Sequence, residues 1–407
     1  MIMKFPENFF WGASTAAHQV EGANTFSDWW QWEQEAGLKD VSGEACRHYS
    51  LFNEDFDIAR SLHHNAHRFS VEWSRIEPWE GQFSAAALAH YKNVISALRT
   101  RGIEPLVTLH HFTNPLWFAS RGGWESKKSV DYFLRYVEKT VEALGQTVQY
   151  WITINEPLVY IHQSYILGLW PPQKKSLSVA NTVKRNLLTA HVKAYRYIHD
   201  WYRERNLASP LVSIAKNMQA FEPCGSSFRN KTSTFLKDYF FNFHFIEQLL
   251  CRKSLDFIGV NYYTRGLVDV DSWDLKGLLL NVCTKGHSTL KKNFMGWDIY
   301  PAGLYALLMK LKKYKMPVYI LENGICTADD NERWEYIRAH LEKIHAALGQ
   351  GVDIRGYMYW SLMDNFEWDK GFAPRFGLVD VNYDTYERIV RKSALKFARV
   401  CQTGILE

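Results

Sequence analysis

The stretch Val148-Gln149-Tyr150-Trp151-Ile152-Thr153-Ile154-Asn155-Glu156-Pro157 sets the reading of the whole chain. Six residues from Val148 onward alternate too little to leave one face wet, which suits a strand buried on both sides of a parallel sheet. The run then stops on Asn155-Glu156, and Pro157 cannot extend a ladder because it has no backbone N–H. Seven further apolar runs recur along the chain, and several of the eight are apolar on both faces: Phe9–Ser14, Ala66–Trp73, Glu104–Phe112, Leu211–Ala220, Leu255–Thr264, Pro317–Glu322 and Ile354–Leu362. Amphipathic helices are expected between them. One is capped by Ser84 and uses Leu88, Tyr91, Val94, Ile95 and Leu98. A second is capped by Ser129 and uses Val130, Phe133, Leu134, Val137, Val141 and Leu144. Others are expected over Asn181 to Glu204, Pro301 to Tyr314, Glu332 to Leu348 and Tyr386 to Cys401. Eight alternating strand–helix units predict an α/β fold, a closed (β/α)8 TIM barrel with its site at the C-terminal ends of the strands.

The 407 residues would allow two or three domains by length, but no Pro/Gly/Ser linker or repeat divides them. A single barrel domain over residues 1–407 is therefore expected. Lys+Arg exceed Asp+Glu by 48 − 43 = 5, too small an excess for a nucleic-acid-binding surface. Sixteen Trp, 22 Tyr and 24 Phe are a large aromatic complement, and aromatic clefts suit the apolar faces of sugar rings. No apolar stretch reaches the roughly 18–20 residues of a membrane span. Residues 1–12 lack the apolar segment of a secretory signal. A cytoplasmic protein that does not engage membranes is the expectation. Its six cysteines carry no C-x-x-C spacing and are expected as reduced thiols, with no metal and no cofactor.

Polar, chemically able residues stand where the apolar runs end. They include Arg68 in the second run, His110-His111 at the third, Asn155-Glu156 at the fourth and Asn261-Tyr262-Tyr263 in the sixth. Glu322-Asn323-Gly324 ends the seventh, and Trp360 leads into Asp364-Asn365-Phe366-Glu367-Trp368 at the eighth. Two carboxylates in an aromatic, polar pocket are the equipment of glycoside hydrolysis. One must be neutral, to protonate the leaving oxygen. The other must be ionised, to meet positive charge at the anomeric carbon. Their mutual repulsion raises one pKa and divides the roles.

The chain resembles glycoside hydrolase family 1, the β-glucosidase/β-galactosidase family, from end to end. The resemblance lies in Phe5-Pro6-Glu7-Asn8-Phe9-Phe10-Trp11-Gly12, Gln19-Val20-Glu21-Gly22, Arg68-Phe69-Ser70-Val71-Glu72-Trp73-Ser74-Arg75-Ile76 and Leu109-His110-His111-Phe112. It continues in Thr153-Ile154-Asn155-Glu156-Pro157, Asn261-Tyr262-Tyr263, Leu321-Glu322-Asn323-Gly324, the run from Trp360 to Trp368, and Arg375-Phe376-Gly377. It implies a retaining β-glycosidase acting on small β-glycosides or oligosaccharides. Terminal β-D-glucosyl residues are the first expectation, with β-galactosyl and β-fucosyl residues left open. By the same resemblance Glu156 is the acid/base and Glu322 the nucleophile. Arg68 and Tyr263 orient Glu322, and Asn155 bonds the 2-hydroxyl. Gln19, His111, Glu367 and Trp368 grip the outer hydroxyls, and Trp360 forms the apolar floor, with Phe376 beside it. Glu367 argues against a 6-phospho-glycosidase, and the carboxyl of Glu156 against a thioglucosidase.

Some positions depart from the family pattern. Leu321 replaces a usual Thr, His110 and Phe112 replace Tyr and Trp, and Gly145-Gln146 replaces Gly-Asp. The segments 221–256 and 265–297, which border the aglycone entrance in relatives, are shortened or rewritten. The aglycone is therefore not carried over, and Trp297 is a guessed contact. A transglycosylase would use the same machinery, and a non-catalytic sugar binder would have lost a carboxylate. Oligomeric state is not legible.

Overall fold

The computed structural model describes residues 2–270 and 288–407. At its centre is a closed barrel of parallel strands. They are β1 (Phe10–Ser14), β2 (Ala66–Ser70), β3 (Glu104–His110), β4 (Tyr150–Asn155), β5 (Leu211–Pro223), β6 (Ile258–Val268), β7 (Val318–Asn323) and β8 (Ile354–Trp360). Each pairs with the next in sequence. β8 closes on β1, with Phe10 opposite Gly356 and Ser14 opposite Trp360. All eight apolar runs become strands, in order.

The barrel is filled rather than hollow. Ala66, Leu106, Ile152, Ala215, Phe257, Tyr319, Leu321 and Met358 form its interior cluster. Leu321, the departure beside Glu322, is fully buried there. Opposite it, Gly259 has no side chain; a Cβ on Gly259 would meet Leu321 Cδ1 at 2.5 Å. A second, larger core lies between the strands and the surrounding helices.

The helices follow the caps for the most part. Ser84 accepts from Ala87 N and starts Ala85–Thr100. The helix expected from Asn181 begins earlier, at Leu177, because Ser176 accepts from Val179 N. Asp329 accepts from Asn331 N and Glu332 N and starts Asp330–Gly349. Ser129 is not a cap: it is the first residue of Ser129–Leu144. The helix expected from Tyr386 begins only at Lys392. Before it, Arg388–Val390 pairs antiparallel with Val379–Val381, so the β-branched pair Ile389-Val390 is spent on a hairpin. Met3–Lys4 pairs with Ile405–Leu406 and joins the two ends of the fold.

The segment 221–256 holds helices Phe228–Asp238 and His244–Cys251 between β5 and β6. Within 265–297, residues 271–287 lie outside the described residues. The expectation of six reduced thiols needs correction. Cys46, Cys251, Cys326 and Cys401 are free, but Cys224 is disulfide-bonded. It sits just past β5, within the segment 221–256. Among the described residues, no helix is long and apolar enough to cross a membrane, and no cluster of His, Cys, Asp or Glu could hold a metal ion.

Gly324 ties the fold to the site. A Cβ there would lie 1.9 Å from the backbone oxygen of Trp360, so only glycine lets the end of β7 rest against the end of β8. Gly324→Ala is expected to destabilise the protein by about 1–3 kcal/mol, read by denaturant unfolding. Unchanged stability would mean that the two strand ends separate freely.

Candidate active site

The polar strand ends meet at one mouth of the barrel. Glu322 lies inside β7, level with Asn261 of β6. Glu156 follows β4 directly and precedes the short helix Pro157–Ile161. Its φ is +43°, a left-handed conformation uncommon for a residue with a side chain, and such strain concentrates at functional sites. Its amide donates to the Ala215 carbonyl of β5 at 2.8 Å, which pins the turn.

A continuous chain of hydrogen bonds joins the two carboxyls. Arg68 donates Nη1 to Glu322 Oε1 and Nη2 to Asn155 Oδ1 (2.7 Å), while its Nε is held by Thr108 Oγ1 (3.0 Å). Asn261 Nδ2 donates both to Asn155 Oδ1 (3.2 Å) and to Glu156 Oε1 (2.8 Å). The other oxygen of Glu322 accepts from Tyr263 Oη at 2.7 Å. Asn217 Nδ2 adds a second donor to Glu156 Oε1 at 3.1 Å. Asn323, the neighbour of Glu322, turns away from the site. It donates to the Tyr262 carbonyl and accepts from Tyr357 Oη, anchoring β7 between β6 and β8.

The two carboxyls differ electrostatically. Burial, reinforced by the charge of Glu322, pushes Glu156 up to about 7 from the usual 4.5. The two Asn donors and Lys216 pull the other way without overcoming it. Glu322 instead receives a guanidinium and a phenol. Burial and the Glu322 charge hold Tyr263 well above the usual phenol range, so it stays a donor. Glu156 is thus equipped to hold a proton, while Glu322 faces a cation and a phenol donor.

A second set of polar and aromatic side chains surrounds this pair. Gln19 donates to Asn365 Oδ1, the Phe366 carbonyl and Glu367 Oε2 (3.1, 2.9 and 3.3 Å). Burial, then the charge of Glu322, pushes Glu367 up to about 8. Asn155 Nδ2 donates to His111 Nε2 at 3.0 Å, which leaves the ring proton on Nδ1. Burial and Arg68 keep His111 neutral, far below the ordinary imidazole value. Gln19 Oε1 and His111 Nδ1 are buried and have no partner among the described residues. Such atoms suit a ligand rich in hydroxyls.

His111 stacks near both Trp360 and Trp368, with centroids 6.1 and 6.0 Å apart. Trp360 packs with Ala16, Cys326 and Phe376, against which Tyr263, Met295 and Trp297 lie. Trp368 is braced by Trp29, Trp170 and Phe112. The structure therefore gathers Gln19, Arg68, His111, Asn155, Glu156, Tyr263, Glu322, Trp360, Glu367, Trp368 and Phe376 at one end of the barrel. Three residues went unread in the sequence: Thr108, Asn217 and Lys216. The signal for the last two was faint, since Lys216-Asn217 is one of several polar interruptions of the fifth run, with Ser213 and Gln219.

The buried, raised carboxyl has a consequence for stability. The native state keeps the Glu156 proton up to about pH 7, whereas the unfolded chain releases it near 4.5. Stability therefore falls as pH rises through that window. Glu156→Gln is expected to unfold like the parent protein near pH 4.5 and to be more stable by up to about 3 kcal/mol at pH 8. A pH-independent difference in denaturant midpoint would contradict the assignment.

The model of Glycosyl hydrolase family 1 matches residues 1–252 and 242–404. Beta-glucosidase A of Thermotoga maritima is 32% identical over 453 residues, covering 100% of this chain and 99% of the relative. The solved beta-glycosidase from Pyrococcus horikoshii superposes with a TM-score of 0.94 at 41% identity, covering 100% of this chain and 97% of the other. The Thermotoga maritima beta-glucosidase in complex with deoxynojirimycin gives a TM-score of 0.92 at 31% identity, with both chains fully covered.

Proposed function

The chain belongs to glycosyl hydrolase family 1, and we propose that it is a retaining β-glucosidase acting through a covalent glycosyl-enzyme. The observation that carries this reading is the unbroken hydrogen-bond path from Glu322 through Arg68, Asn155 and Asn261 to Glu156. It holds two carboxyls of opposite character around one centre. Residues 1–407 act in this proposal as one barrel domain.

Glu322 is the nucleophile. Arg68 and Tyr263 fix both its oxygens, so that its carboxylate attacks the anomeric carbon of a terminal β-glucoside. Glu156 gives its proton to the departing glycosidic oxygen as that bond breaks. In the second half it accepts a proton from water, and the water oxygen displaces Glu322. Two inversions return the β configuration. Asn155 has one amide hydrogen committed to His111, and its second is available to the 2-hydroxyl, where a bond strengthens as positive charge develops.

Gln19, His111 and Glu367 read the remaining hydroxyls over the Trp360 floor, with Trp368 closing the side and Phe376 packing behind. The neutral form of Glu367 both donates and accepts, which matches neighbouring hydroxyls. β-Galactosyl and β-fucosyl residues are proposed as further substrates. The catalysis uses carboxyl chemistry alone and assigns no part to a cofactor.

Glu322→Ala is expected to lose at least about 10⁴-fold in kcat, and azide to restore turnover to the α-glycosyl azide. Formation of the β-azide would remove Glu322 from the nucleophile role. Glu156→Ala is expected to lose about 10²–10⁴-fold in kcat/KM on phenyl β-glucosides and far less on dinitrophenyl glucosides, whose leaving group needs no proton. Equal losses on both would count against Glu156 as acid. In the parent enzyme kcat/KM should decline as pH rises through about 7, where Glu156 gives up its proton.

A further inference from the structure

Asn217 lies level with Asn261 across the pairing of β5 with β6, and both asparagines donate to the same atom, Glu156 Oε1, at 3.1 and 2.8 Å. Side chains alternate along a strand. Asn217 therefore shares the face of Ala215, which belongs to the barrel interior, whereas Lys216 between them turns outward to the Phe241 ring. The Asn261 amide is oriented by a second bond. Asn155 Oδ1 accepts both from it and from Arg68, so the group that Asn261 turns toward Glu156 is Nδ2. Asn217 has no such second tie: the bond to Glu156 is the one hydrogen bond that its side chain makes among the described residues. Glu156 Oε2, by contrast, bonds to none of the described residues.

We infer that Asn217 is a positioning residue for the acid/base: together with Asn261 it claims Glu156 Oε1 as an acceptor and so assigns the transferred proton to Oε2. The inference rests on the proposed acid/base role of Glu156. An amide N–H only donates, and in a protonated carboxyl the oxygen without the proton is the better acceptor. Two donors on Oε1 therefore place the O–H on Oε2. In the first half-reaction that proton passes to the glycosidic oxygen as the bond to the anomeric carbon breaks, and the bonding electron pair stays on the leaving oxygen. In the second half Oε2 takes a proton from the attacking water, while the same two N–H groups still hold Oε1. Asn261 alone would fix Oε1 and leave the carboxyl plane free to turn about that point. A second donor from the neighbouring strand fixes the plane and keeps Oε2 within hydrogen-bond reach of the oxygen it must protonate.

The test measures kcat and KM on phenyl and 2,4-dinitrophenyl β-glucosides for the parent enzyme, Asn217→Ala, Asn217→Leu, Glu156→Ala and the double variant of Asn217→Ala with Glu156→Ala. The two Asn217 variants differ in size, so a folding defect in one leaves the other to decide. Each should lose about 10-fold or more in kcat/KM on the phenyl glucoside, whose leaving group needs the proton, and less than about 3-fold on the dinitrophenyl glucoside. On the latter, kcat and KM should fall together, because the glycosyl-enzyme waits for its base. In the Glu156→Ala background, Asn217→Ala should cost less than about 2-fold on either substrate, since it acts through the carboxyl that is gone. Equal losses on the two glucosides, a loss that persists without Glu156, or no loss in the folded variants overturns the inference. The leaving-group dependence of Glu156→Ala reports separately on Glu156. If that dependence is absent, the underlying reading fails; if it is present and the Asn217 variants lack it, Asn217 alone is misassigned.

Discussion

A guanidinium buried inside the barrel holds the site together. Arg68 enters from β2 and spends its donors on Thr108, Asn155 and Glu322, groups carried by three other strands. Removing a cation from water is costly unless every N–H finds an acceptor and a counter-charge stands close. That requirement fixes the registers. β2 must pair with β3 so that Thr108 faces Nε, β4 must end at Asn155, and β7 must deliver Glu322. The closed parallel barrel satisfies these demands together, because its strand ends converge on one mouth.

The same arrangement sets the chemistry. Arg68 and Tyr263 surround Glu322, whereas Glu156 is left with neutral amide donors and a more remote lysine. The two carboxyls thus meet different surroundings at one end of the barrel. The left-handed backbone at Glu156 and the close approach of Gly324 to Trp360 are local concessions to this geometry. They persist because the surrounding strands over-determine them.

The barrel was legible in the sequence because a parallel sheet covered on both faces leaves unbroken apolar runs, and each run became a strand. The site was legible because polar residues interrupt those runs at their ends, and because the blocks around Glu156 and Glu322 resemble those of a known family. Asn217 escaped notice, since it is one of several polar residues in the fifth run and nothing in the run says which of them reaches Glu156. The hairpin at Arg388–Val390 escaped because its helical alternative has similar local preferences, and the pairing with Val379–Val381 is a tertiary matter. The disulfide-bonded state of Cys224 had no spacing motif to reveal it.

The central claim is that Glu322 bonds covalently to the sugar while Glu156 moves the proton. It is tested most directly by inactivating the enzyme with 2,4-dinitrophenyl 2-deoxy-2-fluoro-β-glucoside and mapping the label by peptide mass spectrometry. The account predicts one fluoroglucosyl group per chain, on the peptide bearing Glu322. A label on the Glu156 peptide, or turnover through inversion with no trapped sugar, would contradict it.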